Sequence, residues 1–251
     1  MADPRVTARR FVADVKRFWG DRLRAAVLHG SVPRGQAIPG VSDINLLLLL
    51  DGIRMEDLET AGPDARRWIE MGNAAPMVLD ATDWGRATDV FAVEIADMLD
   101  HREVLAGDDP LAGVSVSRDA LRFQLEHELR ASLVRLHDTL MVSAEHPRDI
   151  GALLLRALPS FEAYLRATLR LAGRAVPEDA EVTISAAAEV VGGDPSGLLE
   201  ARRARQEGAA PARTLAHPEV ESYYRLMERT VRYVDGVARD DGNAPQEESR
   251  T

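Results

Sequence analysis

Apolar residues recur near helical spacing through residues 5–20, at Val6, Phe11, Val12, Val15, Phe18 and Trp19, with Arg9, Arg10, Asp14 and Lys16 between them. This predicts an amphipathic helix. The pattern then changes. Residues 25–29 form a short apolar run closed by Gly30, and residues 43–50 form a second, nearly continuous one bounded by Gly40 and by Asp51 and Gly52. Runs of this length, closed by turn residues, predict strands covered on both faces. A helix is expected over 63–71, strands over 76–80 and 90–98, and a short helix over 82–87 between those strands. The first part of the chain therefore reads as α/β.

Beyond Val114 the character is helical throughout. Ser117 is placed to cap a helix carrying Leu121, Leu125, Leu129, Leu133, Leu136 and Leu140, since a serine oxygen satisfies one of the free N–H groups of a first turn. Pro147 suits the first position of the next helix, which should run to Gly173 with a kink or break at Pro159. The segment between Pro177 and Gly192 predicts a third helix. Asp194-Pro195 and His217-Pro218 mark the starts of two more, giving an antiparallel bundle of about five helices. Residues 241–251 are polar and nearly free of apolar groups, so they are expected to be disordered. The expected organisation is a domain over 1–115, a helical bundle over 116–240, and a tail.

The segment with most chemistry is His29-Gly30-Ser31-Val32-Pro33-Arg34-Gly35, ending the first strand, followed after a loop by Ser42-Asp43-Ile44-Asn45-Leu46. A glycine lets backbone N–H groups approach a phosphate closely, and serine adds a hydroxyl donor. Residues two apart on a strand share a face, so Asp43 and Asn45 should face one site. In the expected strand over 90–98, Glu94 lies between Ala92 and Ala96 on one face, which leaves room for a ligand, whereas Asp97 shares the bulky face.

This combination resembles the nucleotidyltransferase superfamily, of polymerase-beta-like and kanamycin-type small nucleotidyltransferases, over about residues 20–115. The helical part resembles the substrate-side domains of those enzymes. The resemblance implies an α+β fold, in which a mixed sheet with flanking helices precedes an all-helical bundle. It also implies transfer of a nucleoside monophosphate from an NTP to an acceptor, with pyrophosphate released. Gly30 and Ser31 would hold the phosphates, Asp43 and Glu94 would bind Mg²⁺ or assist proton transfer, and Arg34 would reach a phosphate. Asn45 departs from the usual Asp-x-Asp or Asp-x-Glu pattern. A neutral amide stands where a second carboxylate is usual, and this leaves open a catalytically inactive homologue that binds nucleotide or a partner protein through the same cleft.

Composition narrows the rest. The absence of cysteine excludes disulfides, thiolate zinc sites and cysteine nucleophiles. A formal charge of −10 argues against nonspecific nucleic-acid binding, and no apolar run approaches the length of a membrane span. A cytoplasmic protein is expected, acting on a nucleoside triphosphate and an acceptor that is a small molecule, a tRNA or a protein. Arg130 and His137 formally match the ribonuclease motif of HEPN domains, although Ala131 stands where those enzymes carry a polar residue, and a surface helix is the simpler account. The six histidines show no paired metal-ligand spacing; His29 alone adjoins the expected site. Arg202, Arg203 and Arg205 form a basic cluster that either faces an anionic substrate or is a solvated helix face.

Overall fold

The computed structural model describes residues 3–237, and the expected disordered tail lies outside them. The chain opens with α1 (Pro4–Trp19), β1 (Leu23–His29) and β2 (Asn45–Leu50), then α2 (Met55–Glu70), β3 (Met77–Asp80), α3 (Trp84–Val90), α4 (Ala92–Asp100) and β4 (Arg102–Gly107). The sheet order is β3-β2-β1-β4. β1 runs antiparallel to both β2 and β4, and β3 runs parallel to β2, so the sheet is mixed.

The leucine run of β2 explains its central place. Leu46, Leu48 and Leu50 pack with Phe11, Val15 and Trp68 from α1 and α2 on one face, while Leu47 and Leu49 pack with Trp84, Ile95 and Met98 on the other. Burying each such side chain contributes about 1.5–3 kcal/mol. A slip of one residue would draw Asn45 toward the apolar interior, so this polar residue helps fix the register.

Helices α5 (Arg118–Val142), α6 (Pro147–Leu171), α7 (Ala180–Val191), α8 (Ser196–Gln206) and α9 (Pro218–Gly236) surround a second core. The expected caps are in place. The Ser117 side chain accepts from the Ala120 N–H, the His217 side chain accepts from the Glu219 N–H, and Gly192 ends α7 in a left-handed conformation. Among the described residues, no strand follows β4, and no helix is long and apolar enough to cross a membrane.

Several expectations need correction. Residues 90–98 are not a strand: Val90 ends α3, Phe91 bends between the two helices, and residues 92–98 form most of α4. This short helix is clamped between two cores, with Ala92, Val93 and Ala96 in the helical one and Ile95 and Met98 against the sheet. Apolar on two sides, it loses the one-sided period that marks a surface helix, and a short apolar run does not distinguish helix from strand. Ala92 and Ala96 thus lie one turn apart and pack into the bundle instead of flanking Glu94. The fourth strand is β4, later in the chain. Helix α2 begins eight residues before Pro63, held at its start by the Asp57 carboxylate, which accepts from the Arg54 N–H at 2.9 Å. Helix α6 runs through Pro159 without a break.

Candidate functional site

A cavity of about 310 Å³ opens where the ends of β1 and β2 face α4 and α6. His29, Gly30 and Ser31 enter it from the end of β1, Arg34 and Gln36 from the following loop, and Asp43 and Asn45 from the start of β2. Glu94 and Asp97 project from α4, and residues 159–166 of α6 close the other side. The structure therefore gathers the six residues singled out in the sequence, Gly30, Ser31, Arg34, Asp43, Asn45 and Glu94, around one space. Asp43 lies just ahead of β2, and Glu94 reaches the cavity from a helix instead of the expected strand.

The backbone at position 30 favours glycine. Its φ of +81° is a conformation that side chains disfavour, and a Cβ there would stand 2.9 Å from Asn45 Nδ2. The loop that follows turns back on itself through a hydrogen bond from Gln36 N–H to Ser31 O at 2.9 Å. Among the described residues, the side chains of Ser31, Asp43 and Asn45 have no hydrogen-bond or ion-pair partner. They are half-buried, so their polar groups are directed to the cavity rather than spent on the fold.

The opposite wall is cross-linked. Asp97 receives Arg166 in a forked contact at 2.6–3.1 Å and Arg170 at 2.9 Å. Burial opposes ionisation of Asp97, but the three arginines around it outweigh burial and hold the carboxyl below its ordinary value. Arg34 is the third. It is buried and lies 3.4 Å from Asp97, with one guanidinium nitrogen lacking any hydrogen-bond partner among the described residues. Burial lowers its pKa, and Asp97 offsets part of that effect. Gln124 of α5 ties down Glu94, donating to its carboxylate at 2.8 Å and accepting from the Val93 N–H at 2.7 Å. Nothing in the sequence pattern marked Gln124. Burial drives the pKa of His29 down to about 4, with Asp97 pulling the other way, so its imidazole is neutral at neutral pH.

Beside this space, a smaller cavity of about 50 Å³ is lined by Ser31, Ser42 and Asp43 on one side and by Glu162, Arg202 and Arg205 on the other. Arg202 is paired with Glu162 at 2.7 Å and keeps a buried Nε without a partner among the described residues. Arg205 donates to the Leu155 carbonyl at 2.9 Å. Two members of the basic cluster thus face the cleft, and Arg203 pairs with Glu200 at the surface instead. Arg130 and His137 make separate contacts, the first with Glu126 and Asp235 and the second with the Tyr224 hydroxyl.

Among the described residues, no group of three or more His, Asp or Glu side chains could hold a metal ion. Of the two strands beside β2, β1 ends in His29 and β3 carries Asp80, which stands opposite Leu50 at the far end and accepts from Thr82. Four carboxylates line the cavity, and arginines engage two of them, Asp97 and Glu162, so the donors left for a cation are Asp43, Glu94 and the Asn45 amide. Mg²⁺ is usually held by one or two carboxylates together with substrate phosphates. This set fits a cation that arrives with a triphosphate; it does not fit a preformed cage.

No family model and no curated protein matches the chain. Among solved structures, it resembles the crystal structure of spectinomycin adenyltransferase AAD(9) from Enterococcus faecialis with ATP and spectinomycin. The TM-score is 0.55 over 90% of this chain and 98% of that one, at 10% sequence identity. At that identity the likeness is one of fold: a mixed four-stranded sheet with flanking helices, followed by a helical region.

Proposed function

We propose that the chain is a nucleotidyltransferase that moves a nucleoside monophosphate from an NTP to an acceptor and releases pyrophosphate. One observation carries the reading. Gly30, Ser31, Asp43 and Asn45 line one cavity with Glu94 from a later helix, and among the described residues the side chains of Ser31, Asp43 and Asn45 have no partner. The fold likeness to an adenyltransferase crystallised with ATP and spectinomycin agrees with it. In this reading the Gly30-Ser31 turn takes the phosphates, and the unpartnered Nε of Arg202 supplies charge from the facing helix. Asp43 and Glu94 are the ligands to hand for Mg²⁺, which when bound would neutralise phosphate charge. Glu94, steadied by Gln124, is also the base to hand for the acceptor proton.

A second reading, binding without turnover, is favoured by one specific feature. Asn45 replaces a carboxylate, and β3 brings no acid beside it. Pyrophosphate release measured with each of the four NTPs and Mg²⁺ in the presence of a panel of hydroxyl-bearing acceptors, alongside calorimetric titration of each NTP, separates the two. Metal-dependent binding with turnover, both removed by Asp43→Ala, is the expected result. Binding without turnover, in the wild type and in Asn45→Asp alike, would establish the second reading. Absence of binding in both proteins would reject both.

A further inference from the structure

A second cavity, of about 330 Å³, lies within the helical region between α5, α6 and α9. Its floor is apolar, built from Leu136, Phe161 and Met227, all buried. Its rim carries Arg135 and Arg156. Among the described residues, Arg156 has no hydrogen-bond or ion-pair partner, and the Arg135 side chain meets only the Ser132 hydroxyl, at 2.8 Å. In a chain of net charge −10, two arginines facing one pocket without a carboxylate partner are out of keeping with their surroundings. Glu128, on the same helix as Arg135, accepts from the buried Tyr164 hydroxyl at 3.3 Å.

The position matters as much as the composition. Ser160 and Tyr164 line both this pocket and the cleft that holds Asp43 and Glu94, so the two spaces adjoin across a single stretch of α6. An apolar floor excludes water from a hydrophobic body, a few fixed polar groups orient it, and arginine is well suited to a carboxylate or phosphate.

We infer that this pocket binds a small amphipathic anion, an aromatic or branched apolar body bearing a carboxylate or phosphate, and that this molecule is the acceptor. Its role as acceptor rests on the nucleotidyl transfer proposed above; its binding does not. In the transfer, a hydroxyl oxygen of the acceptor forms a bond to the α-phosphorus of the NTP. The bond from that phosphorus to the bridging oxygen breaks, pyrophosphate leaves with the electron pair, and the hydroxyl proton passes to the Glu94 carboxylate. The charge of the pocket selects against polycationic acceptors.

The test uses three probes of similar size and different charge: phenyl phosphate, benzyl alcohol and benzylamine. Each is titrated calorimetrically into the full chain, with and without saturating ATP. Phenyl phosphate should bind at least about tenfold more tightly than benzyl alcohol, and benzylamine should not bind, because charge-assisted contacts to arginine favour the anion alone. Arg135→Ser and Arg156→Ser should each weaken phenyl phosphate by about tenfold while leaving the melting temperature unchanged, since neither side chain has an ion-pair partner. Equal binding of the three probes, no binding of phenyl phosphate, or unchanged affinity in both variants would overturn the proposal. So would competition by ATP, which would place the phosphate in the neighbouring cleft. If phenyl phosphate binds through these arginines while no NTP binds, the pocket stands and the transferase reading falls.

Discussion

The two walls of the cleft are built on opposite principles. On the wall formed by β1 and β2, Ser31, Asp43 and Asn45 carry polar side chains with no partner among the described residues. On the wall formed by α4 and α6, almost every charge is spoken for: Asp97 by Arg166 and Arg170, Glu94 by Gln124, and Glu162 by Arg202. Half-buried polar groups without partners lose water contacts for no compensating bond, and a fold tolerates that where a ligand supplies the bond. The paired wall sets geometry and joins the two regions of the chain. The unpaired wall is left for a ligand, and the paired wall adds to it Glu94 and the Arg202 Nε.

If that division is right, substitutions on the two walls should separate stability from binding. The largest loss of stability should come from Asp97→Ala, which leaves the buried Arg34 and the half-buried Arg166 without their carboxylate and Arg170 with Asp100 alone. Removing one partner from a buried ion pair costs about 3–5 kcal/mol, and chemical denaturation measures it. A loss below about 1 kcal/mol would mean that water replaces the pairing and that the wall is looser than drawn.

A smaller effect should come from His29, at the boundary between the walls. Its pKa is near 4 in the fold against 6.5 ordinarily. The unfolded chain therefore takes up a proton first as pH falls, and stability drops between pH 6.5 and pH 4 by roughly 3 kcal/mol at most. Above pH 6.5 both states are neutral and the residue adds no slope. His29→Gln should flatten stability across that window. The contribution of Asp97 falls in a separate window, beginning near its ordinary value of 3.8 and continuing as pH falls through its lowered folded value.

The smallest change in stability is expected for Asp43→Ala on the unpaired wall, within about 0.5 kcal/mol of wild type. The same substitution should remove metal-dependent NTP binding. A clear loss of stability with binding intact would reverse the assignment of the two walls.

The unpaired wall was legible in the sequence, and the paired wall largely was not. Gly30, Ser31, Asp43 and Asn45 sit next to turn residues and buried strands whose signals are local, so chain order alone places them near one another. The helical region was legible for the same reason, since Ser117, Pro147, Gly192 and Pro218 each mark a helix end by short-range chemistry. The partners of Asp97 lie 69 and 73 residues further on at Arg166 and Arg170, and no local pattern pairs them. Helix α4 misled because burial on two sides erased its period, and with it went the true position of the fourth strand. Gln124 carries no mark at all; only the packing of α5 against α4 reveals what it holds.

That same helix has a consequence for how the molecule comes apart. Ala92, Val93 and Ala96 belong to one core and Ile95 and Met98 to the other, so nine residues serve as the shared keystone of both. A break in the chain after β4 would leave the bundle fragment with a socket where α4 belongs, and the sheet fragment with an apolar helix face open to water. Neither fragment would be self-sufficient, and the whole should melt as one cooperative unit, with the cleft held at a fixed width instead of swinging on a hinge.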